Sequence, residues 1–122
     1  MTIMNLSEVR TFLSRTISKT RYDAITRRNL PFNITTDDIV NLYIRQQGKC
    51  ALTGLPLEFT RGGKFMNNAN PNSCTMDRID NKKGYELDNI QLTSWRANCY
   101  RGVIPLDEFK EFCKSVANHN KE

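Results

Sequence analysis

Carboxylate and amide side chains recur at short intervals in the second half of this 122-residue chain. Asp77 and Asp80 are three residues apart, and Asn89 and Asn98 follow them nine residues apart. Carboxylate and amide oxygens suit a hard cation such as Mg²⁺, which takes one or two protein ligands and completes its shell with water. A metal held this way in a basic protein indicates phosphodiester cleavage, because the metal neutralises charge that develops on the phosphate.

The elements that must position these side chains form a strand, a loop, a strand and a helix. We predict a strand over 74–80, a turn at Lys83-Gly84, a returning strand over 89–93 and a helix capped by Ser94 that runs through Arg101. Adjacent strand residues point to opposite faces, so Asp77 and Arg78 could act on one phosphate only with strong twist or a bulge.

Helical spacing and caps predict further elements on both sides of this segment. They are a helix over 7–19 capped by Ser7, a shorter one over 22–27, one capped by Thr35 or Thr36 and ended by Gly48, and a last one that starts at Pro105. Residues 60–73 are rich in Gly, Asn and Lys and predict a loop. The pattern is that of an α+β domain.

Composition favours a polyanionic partner. The chain has 18 Lys plus Arg and a net charge of +5. Residues 1–30 hold six cationic and two acidic side chains, a net of +4, and residues 60–102 a net of +3. Nucleic acid is the natural partner for such a surface, and a solvated face that keeps the protein soluble is an equally weighted alternative. No apolar run is long enough for a membrane span or a signal peptide, which predicts a soluble, cytoplasmic protein.

The four cysteines do not form a CxxC pair. They are separated by gaps of 24, 25 and 14 residues, at Cys50, Cys74, Cys99 and Cys113. Structural zinc sites favour closely spaced pairs, so buried free thiols are the first expectation and structural zinc is not expected. A small zinc-stabilised interaction domain that uses the first three of these cysteines is kept as a weaker alternative.

The segment from Lys49 to about Val116 resembles the HNH endonucleases of the ββα-metal superfamily, in particular small phage-type members. In that family an Asp-His pair lies on the first strand, an Asn follows in the loop or second strand, and a His or Asn lies on the helix nine residues later. A basic residue comes three positions after that. This chain places Asp77-Arg78, Asn89, Asn98 and Arg101 at these positions, and Gln91-Leu92 and the run 48–54 are also similar.

The resemblance implies a ββα-metal nuclease core over 48–118, a basic helical region over 1–47 and a polar tail over 119–122. Asp77 and Asn98 would hold Mg²⁺, or Mn²⁺ or Ni²⁺, and Asn89 would constrain the loop and orient the base. The substrate would be DNA, bound with little sequence specificity, and the compartment the cytoplasm of a bacterial host if the chain is phage-encoded. A homodimer, which could cut both strands, stays open.

The chain departs from the family at the general base, because Arg78 replaces the motif histidine. Its one histidine, His119, lies in the predicted tail. The motif also resembles the Asp-Arg-Gly-His motif of the nonspecific nucleases, which implies that Arg78 stabilises the transition state and Asp80 is the base. Alternatively, water activated by the metal does most of the work and Arg78 is a phosphate clamp. A third alternative is an inactive nucleic-acid-binding module of the same fold.

Cationic side chains near the motif are candidates for contacts with the DNA backbone, which give salt-dependent and largely sequence-independent affinity. They are Lys82, Lys83, Arg96 and Arg101, joined by Arg27 and Arg28 from the N-terminal region. Trp95 could stack on a base, although a lone Trp on a short helix is more often part of the core.

Overall fold

The structure is a computed structural model that describes residues 5–59 and 70–121. Four α-helices and one two-stranded antiparallel sheet make up its regular structure, which confirms the α+β class. In chain order they are α1 (Leu6–Asp23), α2 (Thr36–Arg45), β1 (Cys74–Arg78), β2 (Ile90–Ser94), α3 (Trp95–Arg101) and α4 (Leu106–His119). No helix of the described ranges is both long and apolar enough to span a membrane.

Helix α1 begins at Leu6, one residue earlier than predicted, and is not interrupted. Asn5, rather than Ser7, caps it by accepting the Glu8 backbone N–H at 2.9 Å. No glycine or proline lies within it, so the helix runs on to Asp23 and into one π-helical turn, Ala24–Arg28. The stretch predicted as a second helix over 22–27 is helical, but it is not a separate helix, since these residues continue the first.

Helix α2 begins where the sequence indicated. Thr35 is the N-cap, and its side chain and that of Asp38 form a capping box, each accepting the other's backbone N–H. Asp37 and Asp38 lie in the first turn, where negative charge stabilises the helix. After Arg45 the chain turns through Gly48, whose φ of +70° is one that glycine adopts easily.

The two strands pair without a bulge. The register joins Cys74 to Ser94, Asp77 to Gln91 and Arg78 to Ile90. Both strands are shorter at the loop end than predicted, and Asn89 lies in a 3₁₀ turn, Leu87–Asn89, rather than in the returning strand. The connection over 79–89 is therefore longer than a simple hairpin turn, and specific side chains must hold it in shape.

The last two helices follow the sequence prediction closely, with one correction. The Ser94 hydroxyl caps α3 by accepting the Ala97 N–H at 3.1 Å, and the helix ends at Arg101 as expected. Helix α4 continues to His119, so this residue belongs to a helix and not to a polar tail. Of the predicted loop over 60–73, residues 60–69 lie outside the described residues.

One hydrophobic cluster joins the N-terminal helices to the sheet. It contains Val9, Leu13, Ile17, Ala24, Ile34, Ile39, Val40, Cys50, Leu57, Phe59, Cys74, Met76, Tyr85, Ile90, Leu92 and Ala97. The connection over 79–89, the long loop, also contacts the N-terminal region through backbone hydrogen bonds. The backbone N–H groups of Tyr85 and Asn33 donate to Pro31 and Tyr85 respectively, each at 2.9 Å. Residues 5–50 and the hairpin thus share one core.

Gly84→Ala tests how tightly the long loop packs against Pro31. A Cβ at residue 84 would lie 2.6 Å from the Pro31 carbonyl oxygen and 2.8 Å from its Cδ, both on rigid groups. Overpacking of this kind costs about 1–3 kcal/mol, so we expect the urea midpoint to fall accordingly. The exposed neighbour Lys83→Ala should leave it within about 0.5 kcal/mol. Equal stability of both variants would show that the loop is free to shift.

Candidate functional site

Asp77 is a buried carboxylate that is held through one of its two oxygens. It is 4% exposed. Its Oδ2 accepts from Arg101 Nη1 at 2.8 Å and from Gln91 Nε2 at 2.9 Å. Within the described residues Oδ1 accepts no hydrogen bond. The carboxylate is thus fixed in orientation while one oxygen keeps its lone pairs for another partner.

Arg101 is the most completely buried charged residue of the described chain, at 1% exposed. Besides Asp77, its guanidinium donates to the carbonyl oxygens of Arg78 at 2.7 Å, Ile79 at 2.5 Å and Ile104 at 2.9 Å. A side chain so enclosed and so fully bonded does not reach a nucleic-acid backbone. The predicted phosphate contact at Arg101 is therefore corrected, because the residue is an internal support.

Asn98 lies on α3 one turn before Arg101 and faces the same strand. Its Nδ2 donates weakly to Thr75 Oγ1 at 3.4 Å, and its Oδ1 takes no hydrogen bond from the described residues. Thr75 and Asp77 are two residues apart on β1 and so share a face of the sheet. Helix α3 therefore lies across this face and brings Asn98 to the surface that carries Asp77.

The donor set at this surface fits a hard cation with few protein ligands. Asp77 Oδ1 and Asn98 Oδ1 are both unengaged oxygens on facing elements, and Mg²⁺ commonly takes one or two such ligands with waters. Within residues 5–59 and 70–121, His, Cys, Asp and Glu do not form a group of three or more that could hold a metal. The residues present thus suit a water-rich magnesium shell rather than an all-protein cage.

The buried Asn89 side chain holds the long loop through hydrogen bonds to its backbone. Its Oδ1 accepts the Asp80 N–H at 2.8 Å, and its Nδ2 donates to the carbonyls of Asp80 at 3.0 Å and Gly84 at 2.9 Å. The residue is 4% exposed, so these bonds form away from solvent, where they are stronger. They fix the backbone of Asp80 on both sides.

Asp80 lies exposed at the edge of a cleft of about 400 Å³. Its Oδ1 accepts the Lys82 N–H at 2.9 Å. The cleft is lined by Ile79, Asp80, Asn81, Lys82, Arg101, Val103, Pro105, Leu106 and Asp107. Asp77 and Asn98 do not line it. The buried Arg101 side chain touches both the cleft and Asp77, so the structure places Asp80 and the Asp77–Asn98 surface in separate surroundings.

Arg78 is directed into the loop. Its Nη1 donates to the carbonyls of Asn81 at 2.8 Å and Lys83 at 2.9 Å, and its guanidinium lies 5.3 Å from the centre of the Tyr85 ring. The unbroken register sends Arg78 and Asp77 to opposite faces. The structure therefore does not bring Arg78 to the Asp77–Asn98 surface, although two of its guanidinium nitrogens have no partner among the described residues.

The remaining cationic candidates are exposed. Lys82 and Lys83 lie at the tip of the loop, and Arg96 lies on α3. Arg28 Nη1 reaches the Tyr85 hydroxyl at 3.5 Å, so it approaches the same ring as Arg78. Arg27 instead pairs loosely with Asp23 at 3.9 Å. Trp95 is half-buried beside Arg96.

The cysteines divide into two classes. Cys50 and Cys74 are buried free thiols, as predicted, whereas Cys99 and Cys113 are exposed, so the prediction is wrong for those two. Burial raises the pKa of Cys74 to about 12, with a smaller contribution from Cys50. Burial also acts to raise the pKa of Cys50, but hydrogen bonds from the Thr53 hydroxyl and nearby backbone N–H groups lower it overall.

The sequence reading missed two positioning residues. Gln91 holds Asp77 from the neighbouring strand, and Tyr85 joins two arginines from distant parts of the chain. The first could have been found by pairing the strands about Gly84, since that register sets Gln91 opposite Asp77. No local pattern points to the second, which depends on the packing of the N-terminal region.

Comparisons of the chain with protein-family models, with curated proteins and with solved structures find no match.

Arg101→Met tests the buried support. Removing one partner of a buried pair leaves an uncompensated charge and costs about 3–5 kcal/mol, and here three carbonyls lose their donor as well. We expect the free energy of unfolding in urea to fall by at least that range. Arg96→Met, an exposed arginine on the same helix, should change it by less than about 0.5 kcal/mol. A loss under about 1 kcal/mol for Arg101→Met would contradict the enclosed network.

Thiol labelling tests the burial of the cysteines. At neutral pH Cys74 is protonated as well as enclosed, and Cys50 is shielded by burial despite its lowered pKa. We expect a maleimide to modify Cys99 rapidly in the folded protein and to modify Cys50 and Cys74 only after denaturation, as read by peptide mass spectrometry. Rapid native labelling of Cys74 would mean that the sheet end opens readily.

Proposed function

We propose that this protein is a metal-dependent endonuclease that cleaves DNA by phosphodiester hydrolysis, of the HNH type. One observation carries the proposal. A buried aspartate, Asp77, keeps one unengaged oxygen on the same face as the unengaged amide oxygen of Asn98. If Asp77 served only to neutralise the charge of Arg101, a second unengaged oxygen from Asn98 on the same face would not be required. The hairpin followed by a crossing helix is also the arrangement expected for a ββα-metal core.

Asp77 and Asn98 are the residues that would hold Mg²⁺, Mn²⁺ or Ni²⁺. When bound, the metal supplies positive charge beside the scissile phosphate and its leaving oxygen. Asp77 brings a negative charge to the site, and Arg101 and Gln91 hold its Oδ2, which leaves Oδ1 without a hydrogen bond among the described residues. Two fixed hydrogen bonds cost no reorganisation during the reaction, which is how a preorganised site gains its advantage.

Asp80 is the candidate general base on this chain. Asn89 holds its backbone on both sides, and its carboxylate is exposed beside the cleft. A carboxylate can accept a proton from an attacking water if the two lie within hydrogen-bond reach. The separation of Asp80 from the Asp77–Asn98 surface by Arg101 favours the other alternative, in which the metal rather than a side chain prepares the nucleophile.

The cationic side chains around the loop would bind the DNA backbone. Lys82 and Lys83 are exposed at its tip, Arg78 lies over the Tyr85 ring, and Arg28 reaches the Tyr85 hydroxyl. Such contacts would make affinity depend steeply on salt concentration and little on sequence. Arg78 would act here as a phosphate clamp, with its loop hydrogen bonds setting the position of the guanidinium.

A non-catalytic nucleic-acid-binding module is the second candidate. It is favoured by the orientation of Arg78, which faces the loop where an active member of the family would direct its histidine toward the phosphate. This alternative predicts salt-dependent retention on DNA without strand breaks in any metal. The two candidates share the cationic surface, and they differ in whether Asp77 and Asn98 hold a metal that supports cleavage.

Plasmid cleavage separates the candidates. We expect supercoiled DNA to be nicked or linearised with Mg²⁺, Mn²⁺ or Ni²⁺, and Asp77→Asn and Asn98→Ala each to slow this by about 100-fold or more. Asn98→Ala is the cleaner change because it removes a single weak hydrogen bond. Gel bands are quantified over time, and circular dichroism confirms that each variant is folded.

Matched controls make the assay specific. Asp88→Asn and Asn118→Ala alter the same residue types at exposed positions that have no role in the proposed site, and should keep full activity. Equal cutting by Asn98→Ala and the unaltered protein would attribute the activity to a contaminant. DNA retention without breaks, in folded protein and in all three metals, would favour the binding module.

A further inference from the structure

Helix α4 is amphipathic, but it buries no residue of its own. Leu106, Phe109, Cys113 and Val116 follow one another at spacings of three, four and three residues. This is the a and d pattern of a helix that packs against another helix along one seam. Phe112 borders the seam and is 65% exposed, and Val116 is 48% exposed.

An unpaired face of this kind is not expected of a stable surface helix. Most helical stability in proteins comes from packing an apolar face, and isolated helices of fewer than about 12–15 residues are marginal in water. Over residues 5–59 and 70–121, no other helix or strand packs extensively against α4. Val103, just before the helix, is 82% exposed and extends the uncovered apolar surface.

The charges on α4 are divided between its two halves. Residues 106–112 carry three acidic side chains and Lys110, a net of −2, whereas the helical residues 113–119 carry Lys114 alone, a net of +1 with His119 neutral. Lys114 and Glu111 form an exposed ion pair at 3.2 Å at the boundary. Two copies in antiparallel orientation would set each acidic half beside a basic half, whereas a parallel pair would set like charges together.

We propose that α4 is a homodimerisation helix that pairs antiparallel with α4 of a second copy of this chain. A two-fold axis near residue 111 would set Leu106 against Val116 of the second copy, and Phe109 against Cys113. Glu108 would then lie level with Lys114 of the second copy. Such an interface uses the same patch on both molecules, as closed two-fold dimers do. The proposal is independent of the proposed nuclease function.

Sedimentation equilibrium over about 1–200 μM tests the proposal directly. We expect a concentration-dependent rise from the 14.1 kDa monomer to twice that mass. Val116→Glu places a charge in the apolar seam and Phe112→Glu places one at its border, and each should weaken dimerisation by about 30-fold or more. Both residues are exposed in the single chain, so neither change should unfold it.

Asn118→Glu is the matched control, because it introduces the same residue on the opposite side of α4 and should leave the dimer intact. A monomer at every concentration would overturn the proposal. So would a dimer that Phe112→Glu and Val116→Glu do not weaken, because another surface would then form it.

The exposed cysteines give a second readout from one sample. Cys113 lies in the seam and Cys99 lies on α3. Maleimide labelling of Cys113 should slow as protein concentration rises, while labelling of Cys99 should not. In Phe112→Glu protein both rates should be independent of concentration. Equal behaviour of the two cysteines in unaltered protein would place the dimer contact elsewhere.

Discussion

The enclosed guanidinium of Arg101 is the constraint on which the rest of this fold depends. Its bonds join β1, the start of the long loop and the segment between α3 and α4 through Asp77 and three backbone carbonyls. A charge so far from water is tolerated only when every donor finds a partner with good geometry. Meeting that requirement fixes α3 across the hairpin, and with it the position of Asn98 relative to Asp77.

A second buried polar residue gives the loop its shape. The Asn89 side-chain amide bonds to the backbone of Asp80 and Gly84, where the strands no longer pair, and Arg78 Nη1 donates to the Asn81 carbonyl near the tip. The loop is therefore ordered by side-chain hydrogen bonds and by the fastening of Tyr85 to the N-terminal region. These contacts offset the conformational entropy that the loop loses on ordering. The exposed tip therefore needs no apolar residues and holds Asp80, Lys82 and Lys83.

The sequence predicted the helix starts and the hairpin turn, which depend on a few neighbouring residues. The caps at Thr35 and Ser94 follow from hydroxyl groups placed before apolar periodicity, and the hairpin follows from alternation and a glycine. The burial of Arg101 could not be found that way, since arginine is ordinarily exposed. The three-residue interval between Asn98 and Arg101 nevertheless implied that Arg101 is buried. Residues three apart on a helix share a face, so an Asn98 side chain that faces the strand carries Arg101 inward with it.

The inward turn of Arg101 changes where the protein can meet a polyanion. With that cation withdrawn, the exposed positive charge near the motif comes from the loop tip, Arg96 and the end of the N-terminal helical region. Arg28 and Arg78 meet at one tyrosine ring, and the N-terminal helices share the core of the hairpin. Residues of the N-terminal helices thus contribute to the same surface as the loop. Cations held at fixed separations suit a backbone of regularly spaced phosphates better than a flexible basic arm does, because less conformational entropy is lost on binding.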